Sequence, residues 1–186
     1  RLSRASPIFS IMAIPRVRRL TLQDLDTVIQ IQGNCYSTSF IEPRDAMQQH
    51  IASGQPCWLA ERDGVPAGYL LAAHLGADGP PSPISLGATD RPPPASDANC
   101  LYLHDLAIQP ALQGTGISQA LWGAAMDHLM AHRQLLGMAL VAVQSSRPFW
   151  AKLGFRVLED LPAGIATKLA SYGPDAVYMW RPREIE

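Results

Sequence analysis

Two glycines between an apolar run and a helix-forming segment are the first chemical signal in this sequence. Residues 101–109, Leu-Tyr-Leu-His-Asp-Leu-Ala-Ile-Gln, are typical of a strand, and Pro110 ends it because proline has no N–H to donate. The turn Gln113-Gly114-Thr115-Gly116-Ile117-Ser118 then leads into an apolar helix. Glycine lets a ligand approach the main chain closely, and the first N–H groups of a helix have no internal partners. This arrangement predicts a cradle for a phosphate group.

The turn fits neither of the common nucleotide-binding patterns. It lacks the Gly-Lys-Ser/Thr ending of a P-loop, and Gln119 stands where a dinucleotide fingerprint needs a third glycine. It resembles instead the acyl-CoA pyrophosphate loop of the GNAT N-acetyltransferase superfamily, Gln/Arg-x-x-Gly-x-Gly/Ala. Gln113 and Gly116 match that pattern, and Ser118 departs from it but is small. An ordinary strand-to-helix turn is the alternative that this motif alone leaves open.

A second motif supports the same resemblance. Residues 149–155, Phe-Trp-Ala-Lys-Leu-Gly-Phe, are similar to the GNAT segment Phe-Tyr-x-x-x-Gly-Phe that follows the fifth strand. With the order of elements, the resemblance covers residues 16–183. It implies an α/β fold of the mixed α+β kind. The sheet would be GNAT-like, mostly antiparallel and six- to seven-stranded, with helices on both faces and a splay between the fourth and fifth strands that holds the acyl-CoA.

The resemblance also implies acetyl-CoA as co-substrate, with no metal. The turn would bind the diphosphate through main-chain N–H groups, and the preceding strand edge would pair with the pantetheine arm. A backbone N–H near Leu106 is the expected oxyanion donor. The expected contacts to the co-substrate are Leu106, Ala107, Ile108, Gln113, Gly114, Thr115, Gly116, Ile117, Ser118, Phe149, Trp150 and Lys152.

His104 is the side chain best suited to move a proton. The run Leu-His-x-Leu-Ala at this position resembles the arylalkylamine N-acetyltransferase subgroup, in which this histidine is a base. We expect His104 to take the amine proton directly or through water, since imidazole ordinarily titrates near pH ~6.5. The alternative is a histidine that only fills the sheet face. Asp105 is expected to point to the opposite face and to be structural, because strand neighbours alternate.

Trp150 departs from the resemblance, because many relatives carry a tyrosine there as general acid toward the CoA sulfur. Indole has no suitably acidic proton, so either another hydroxyl replaces it or the thiolate leaves unassisted. Among Tyr36, Tyr102, Tyr172 and Tyr178 we select Tyr36 as the catalytic candidate. The resemblance further implies that the first helices cover the acceptor side, where aromatic residues and a carboxylate would suit an amine. These residues are Tyr36, Phe40, Glu42 and Trp58.

Length and composition narrow the choice of class and partners. A chain of 186 residues predicts one domain, here residues 16–186, preceded by a disordered or non-native extension over 1–15. The Pro/Gly-rich stretch 77–98 is expected to be a long loop that either lies over the cleft or is a floppy insertion. A net charge of −1 gives no reason to expect nucleic acid or a membrane surface as partner.

The cysteines and the remaining histidines indicate no further site. The three cysteines show neither metal nor disulfide spacing, which indicates reduced thiols in the cytoplasm. Whether the chain forms a homodimer is left open. The expected order of elements is β-α-α-β-β-β-α-β-α-β-β, with a further short helix within residues 164–172. It includes a capping box at Thr21–Asp24 and a hairpin at Asp63-Gly64.

We therefore predict an enzyme that moves an acetyl group from acetyl-CoA to a primary amine. Attack would be direct, through a tetrahedral intermediate, and a small molecule is the preferred acceptor. Acetylation of a protein N-terminus or lysine is one alternative. A non-catalytic acyl-CoA-binding sensor, which Trp150 favours, is a second. A phosphate-binding regulatory domain that does not bind CoA is a third.

Overall fold

The strands and helices follow one another in the predicted order. A computed structural model describes residues 14–76, 81–88, 96–143 and 145–184. The strands are β1 (Arg16–Arg19), β2 (Cys57–Arg62), β3 (Val65–Leu75), β4 (Cys100–Ile108), β5 (Gly137–Ala142), β6 (Arg156–Val157) and β7 (Val177–Pro182). The α-helices are α1 (Leu25–Cys35), α2 (Arg44–Ala52), α3 (Ile117–Ala131), α4 (Arg147–Lys152) and α5 (Ala163–Ala170). Of the predicted N-terminal extension, residues 1–13 lie outside the described residues, as do residues 77–80 and 89–95 of the predicted loop.

The strands form one seven-stranded sheet in the order β1-β2-β3-β4-β5-β7-β6. All neighbouring pairs are antiparallel except β4 and β5. Apolar residues of α3 form one core with one face of the sheet, and those of α1 and α2 form a second core with the other face. The predicted mixed sheet with helices on both faces is therefore confirmed.

Local sequence signals produce the expected turns. The Thr21 backbone N–H donates to Asp24 Oδ2 at 2.9 Å, which is one half of the predicted capping box. Asp63 and Gly64 have φ values of 51° and 77°, as the tight turn of the β2–β3 hairpin requires. Within the described residues no helix is long and apolar enough to cross a membrane.

Strand β4 contains a bulge that changes which residues face the helices. Asp105 lies opposite Leu71 of β3 and Leu103 lies opposite Ala72, so His104 is the extra residue of a bulge in the β3–β4 register. Leu103 and Leu106 consequently both face the α3 side, although they are three positions apart. His104 and Asp105 both face the α1–α2 side. The prediction that Asp105 points away from His104 is wrong, because regular alternation stops at the bulge.

The sheet opens between β4 and β5. Their parallel pairing runs from Cys100–Gly137 to Leu103–Leu140 and stops there, so residues 105–108 of β4 have no strand partner on that side within the part of the chain that the structure describes. The Gln109 N–H donates to the Ala67 carbonyl at 2.9 Å. Because hydrogen-bonded pairs alternate along an antiparallel ladder, the peptide groups of Leu106 and Ile108 point into the opening. This is the splay that the resemblance implies.

Candidate active site

A cavity of about 440 Å³ occupies the opening between β4 and β5. Its wall is formed by the end of α1, the second half of β4, the turn before α3 and the start of α4. Twelve of the predicted site residues line it: Tyr36, Phe40, Glu42, His104, Leu106, Ala107, Ile108, Gln113, Gly114, Ser118, Phe149 and Trp150.

The glycine turn has the conformation of an anion cradle. Gly114 and Gly116 have φ values of 73° and 92°, and a Cβ at either would meet no atom of the described residues within 4 Å. Conformation, not space, therefore selects glycine at both positions. The Thr115 carbonyl accepts from Arg62 Nη1 at 2.9 Å, and the Thr115 hydroxyl donates to the Leu112 carbonyl at 2.6 Å. These two bonds fix the turn from outside.

The N–H groups of the turn are available to a ligand. Across the described part of the chain, no backbone oxygen accepts from the N–H groups of residues 114–119. The dipole of the fifteen-residue helix α3 adds partial positive charge at the same point. A diphosphate group fits this donor set, and CoA carries one.

Four of the predicted CoA contacts do not line the cavity. Thr115 and Gly116 shape the turn, and Ile117 is buried in the α3 core, so only their main-chain N–H groups could reach a phosphate. Lys152 is exposed on α4 and does not border the cavity. A direct role for its side chain stays a prediction.

His104 is held by a buried carboxylate. Its Nε2 lies 2.7 Å from Glu42 Oε1, and the two side chains are only 2% and 3% exposed. A carboxylate can only accept, so Nε2 carries the hydrogen. The ring also stacks on His50, with centroids 5.4 Å apart and an interplanar angle of 12°. Glu42 therefore sets the orientation of His104 and would stabilise the positive charge that the ring gains on accepting a proton.

Glu42 is itself fixed by neighbouring segments. Its Oε2 accepts from the Gly87 N–H at 2.7 Å. Its own backbone N–H and carbonyl bind both ends of the Gln32 side-chain amide, at 2.8 and 3.0 Å. The residue follows α1 in sequence without belonging to a helix, and these contacts give it a defined position. The sequence placed Glu42 near the acceptor but did not indicate its pairing with His104.

Asp105 lines the cavity, and the sequence did not indicate its contacts there. Its two carboxyl oxygens each lie 2.6 Å from a tyrosine hydroxyl, Oδ1 from Tyr36 and Oδ2 from Tyr69. Burial raises the pKa of the Asp105 carboxyl above its ordinary value. Burial and the neighbouring carboxyl raise the pKa values of Tyr36 and Tyr69 well above the ordinary value, so both hydroxyls stay protonated at neutral pH. Two adjacent polar residues in an apolar strand were the available sign of a bulge.

The four candidate tyrosines differ in burial and in the contacts of their hydroxyl groups. Tyr102 and Tyr178 are buried in the core. Tyr172 lines the cavity, but its hydroxyl donates to the Ile84 carbonyl. Tyr36 lines the cavity, and its hydroxyl lies 2.8 Å from the Leu106 carbonyl at the open strand edge. Tyr36 is therefore the cavity tyrosine whose hydroxyl lies at the β4 edge.

Part of the proline-rich segment forms one side of the cavity. Residues 81–88, which we name the strap, are held by Tyr178 at the Pro81 carbonyl, by Tyr172 at the Ile84 carbonyl and by Glu42 at the Gly87 N–H. Leu86 borders the cavity. Of the two readings left open for this loop, the strap agrees with the segment that lies over the cleft.

Two tryptophans have unexpected surroundings. Trp58 lies on the α3 face of the sheet, edge-on to His128 and beneath the Arg19 guanidinium. The prediction that it lines the acceptor pocket is therefore wrong, because alternation along β2 turns it to the other face. Trp150 is 8% exposed, lines the cavity and packs edge-on against Phe149 and Phe155.

Among the described residues, no group of three or more His, Cys, Asp or Glu is arranged to hold a metal ion.

Comparison with known structures supports the fold assignment. The loading GNATL domain of CurA from Lyngbya majuscula superposes with a TM-score of 0.72 at 14% identity, over 91% of this chain and 98% of that one. The ribosomal-protein-S18-alanine N-acetyltransferase from Escherichia coli gives 0.66 at 16% identity, over 93% and 96%. PaiA N-acetyltransferase from Thermoplasma acidophilum, in complex with coenzyme A, gives 0.63 at 18% identity, over 92% and 100%.

Comparison at the sequence level gives the family. No curated relative matches the sequence. The family model described as Acetyltransferase (GNAT) family matches residues 25–155, from the first residue of α1 to just past α4. This range contains the glycine turn, the β4 edge and the His104–Glu42 pair. The chain belongs to the GNAT acetyltransferase family and is an acyl-CoA-dependent N-acyltransferase.

Proposed function

We propose that this enzyme acetylates a small primary amine with acetyl-CoA, by direct attack of the amine and through a tetrahedral intermediate. The observation that carries the proposal is that one cavity joins three parts. These are the glycine turn, the open edge of β4 and the His104–Glu42 pair. The glycine turn suits a diphosphate, and the β4 edge suits an extended arm that contains amide groups. The His104–Glu42 pair suits the role of proton acceptor.

The β4 edge suits both binding and catalysis. The Leu106 and Ile108 peptide groups that face the opening would pair with the pantetheine arm as an added strand would. The Leu106 N–H would then stabilise the negative charge that develops on the thioester oxygen. Among the described residues, side chains from the end of α1 contact the carbonyls of this edge, through Tyr36 at Leu106 and Cys35 at Ile108.

His104 would remove the proton from the amine, through water if the nearly buried ring does not reach it directly. Glu42 would stabilise the resulting imidazolium, because its carboxylate is already bonded to Nε2. A positioned general base contributes about 10²- to 10⁴-fold to rate.

A small acceptor is favoured over a protein segment by the strap. Leu86 borders the cavity, and the strap is fixed by hydrogen bonds at three points along its length. A peptide would need room to leave the cavity on this side. The fold alone does not decide the question, because one structural neighbour is named for a ribosomal protein acceptor.

The test is acetyl-CoA-dependent thiol release with a panel of small amines and N-terminal peptides. We expect release with small primary amines and a loss of at least about 10²-fold in kcat/KM for His104→Gln. Tight acetyl-CoA binding with no amine-dependent release would instead favour a sensor, the reading that Trp150 supports. Turnover with peptides only would refute the small-amine proposal.

A further inference from the structure

If Asp105 is ionised, the Tyr36 hydroxyl group has too few hydrogens for its two hydrogen-bond contacts. The Tyr36 hydroxyl oxygen lies 2.6 Å from Asp105 Oδ1 and 2.8 Å from the Leu106 carbonyl oxygen. Both distances are those of hydrogen bonds between oxygens, and each bond needs one hydrogen. A phenol carries only one hydrogen, and neither a carboxylate nor a carbonyl carries any.

A hydrogen on the Asp105 carboxyl group supplies the second hydrogen that the Tyr36 contacts need. Asp105 Oδ1–H then donates to Tyr36, Tyr36 donates to the Leu106 carbonyl, and Tyr69 donates to Asp105 Oδ2 at 2.6 Å. With an ionised Asp105, either the Leu106 carbonyl or the carboxylate would face the Tyr36 oxygen with no hydrogen between them. Two oxygen atoms in that arrangement repel each other inside a low-dielectric site.

The surroundings of Asp105 agree with the neutral form. Burial raises its pKa, and the Glu42 carboxylate nearby acts in the same direction. The opposing influences are the hydrogen bonds from Tyr36 and Tyr69 and the charge that His104 carries when protonated. A protonated His104 therefore favours release of the Asp105 proton, which links the two groups during turnover.

From this geometry we infer that Asp105 stores a proton in the free enzyme and that Tyr36 passes it to the departing thiolate. This inference rests on the proposed acetyl transfer and supplies the general acid that Trp150 cannot be. Tyr36 gives its hydroxyl hydrogen to sulfur, which keeps the electron pair of the broken C–S bond. Asp105 gives its own hydrogen to the Tyr36 oxygen and becomes a carboxylate that accepts from Tyr36 and Tyr69. His104 returns the amine proton to solvent, and Asp105 regains one from solvent.

Infrared spectroscopy of the free protein tests the stored proton without any turnover. We expect the carbonyl stretch of a protonated, buried carboxylic acid at neutral pH in the wild type and its loss in Asp105→Asn. Tyr69→Phe is the matched control. It removes a hydrogen bond that favours the carboxylate, so the acid band should remain. A wild-type spectrum without this band would overturn the inference, whether or not the enzyme acetylates amines.

Kinetics test the transfer through Tyr36. Tyr36→Phe should lower kcat for thiol release by about 10²- to 10⁴-fold, while Tyr178→Phe, which is buried in the core and does not line the cavity, should stay within about tenfold of the wild type. The wild-type rate should fall at alkaline pH as Asp105 ionises, and Tyr36→Phe should lack that alkaline fall. Retention of rate or of the alkaline fall in folded Tyr36→Phe would refute the relay. If the wild type releases no thiol with any amine, the proposed function fails, and the infrared result still decides the state of Asp105.

Discussion

Replacing Glu42 with glutamine tests how much the buried carboxylate contributes to catalysis. The substitution keeps the size and shape of the side chain but removes its charge. Glu42 accepts two hydrogen bonds at 2.7 Å, from His104 Nε2 and from the Gly87 N–H. An amide has one oxygen and one NH₂ group, so it cannot accept from both donors as the carboxylate does.

The size of the effect follows from this geometry. A hydrogen bond to a charged group contributes about 1.5–3 kcal/mol, and this pair is almost fully buried. The contribution is greatest when His104 holds the amine proton, so the loss belongs to the transition state. At about 1.36 kcal/mol per factor of ten, we expect kcat/KM to fall about 10- to 150-fold.

The assay is acetyl-CoA-dependent thiol release with the best amine, measured from acid to alkaline pH. Glu61→Gln is the matched control, because Glu61 pairs with Arg18 at 2.9 Å near the sheet edge and does not line the cavity. We expect that variant to stay within about threefold of the wild type, since ion pairs near the surface contribute little. A folded Glu42→Gln enzyme within the same threefold range would refute the role given to this carboxylate.

Other predictions concern the cradle, the packing and the pH dependence of stability. Gly116→Glu should weaken CoA binding in calorimetry about tenfold more than Gly116→Ala, because both share the strain at a φ of 92° but only one adds a negative charge. Gly123→Ala, whose added Cβ would meet no other described residue within 4 Å beyond the local helix backbone, should raise the free energy of unfolding in urea by about 0.5–1 kcal/mol. Gly68→Ala should lower it by about 1–3 kcal/mol, because its Cβ would lie 2.6 Å from the Ala107 carbonyl oxygen. Burial and neighbouring cationic groups lower the pKa of His128 to about 4 from an ordinary 6.5, so the folded state binds fewer protons than the unfolded chain in this range. The free energy of unfolding should therefore fall as the pH drops from about 6.5 to about 4, and His128→Asn should flatten that fall; an unchanged slope would contradict the assignment.

Features set by neighbours in sequence could be predicted. The two glycines of the turn, the Asp63-Gly64 hairpin and the Thr21 cap each depend on φ values or on donors within a few residues. The order of elements followed from apolar periodicity and from the residues that interrupt it. Most of the residues expected to contact CoA do line the cavity, because they belong to continuous stretches of sequence around the glycine turn.

Features set by pairing between distant segments could not be predicted. The bulge at His104 exists only relative to β3, and it alone brings Asp105 to the side of Tyr36 and Tyr69. Alternation along β2 predicts that Trp58 and its neighbours face opposite sides of the sheet, but it does not indicate which side carries the cavity. The contacts of the strap depend on Tyr172 and Tyr178, far along the chain, and composition gave no sign of them.

Because the sheet is open between β4 and β5, the bound co-substrate would connect its two halves. Among the described residues, four pairs, Cys100–Gly137 to Leu103–Leu140, join the two halves of the sheet. A pantetheine arm along Leu106 and Ile108 would take the place of a strand beyond these four pairs. Saturating acetyl-CoA should therefore slow amide hydrogen exchange in β5 and β7 as well as in β4, so that loading with substrate tightens both halves of the molecule together.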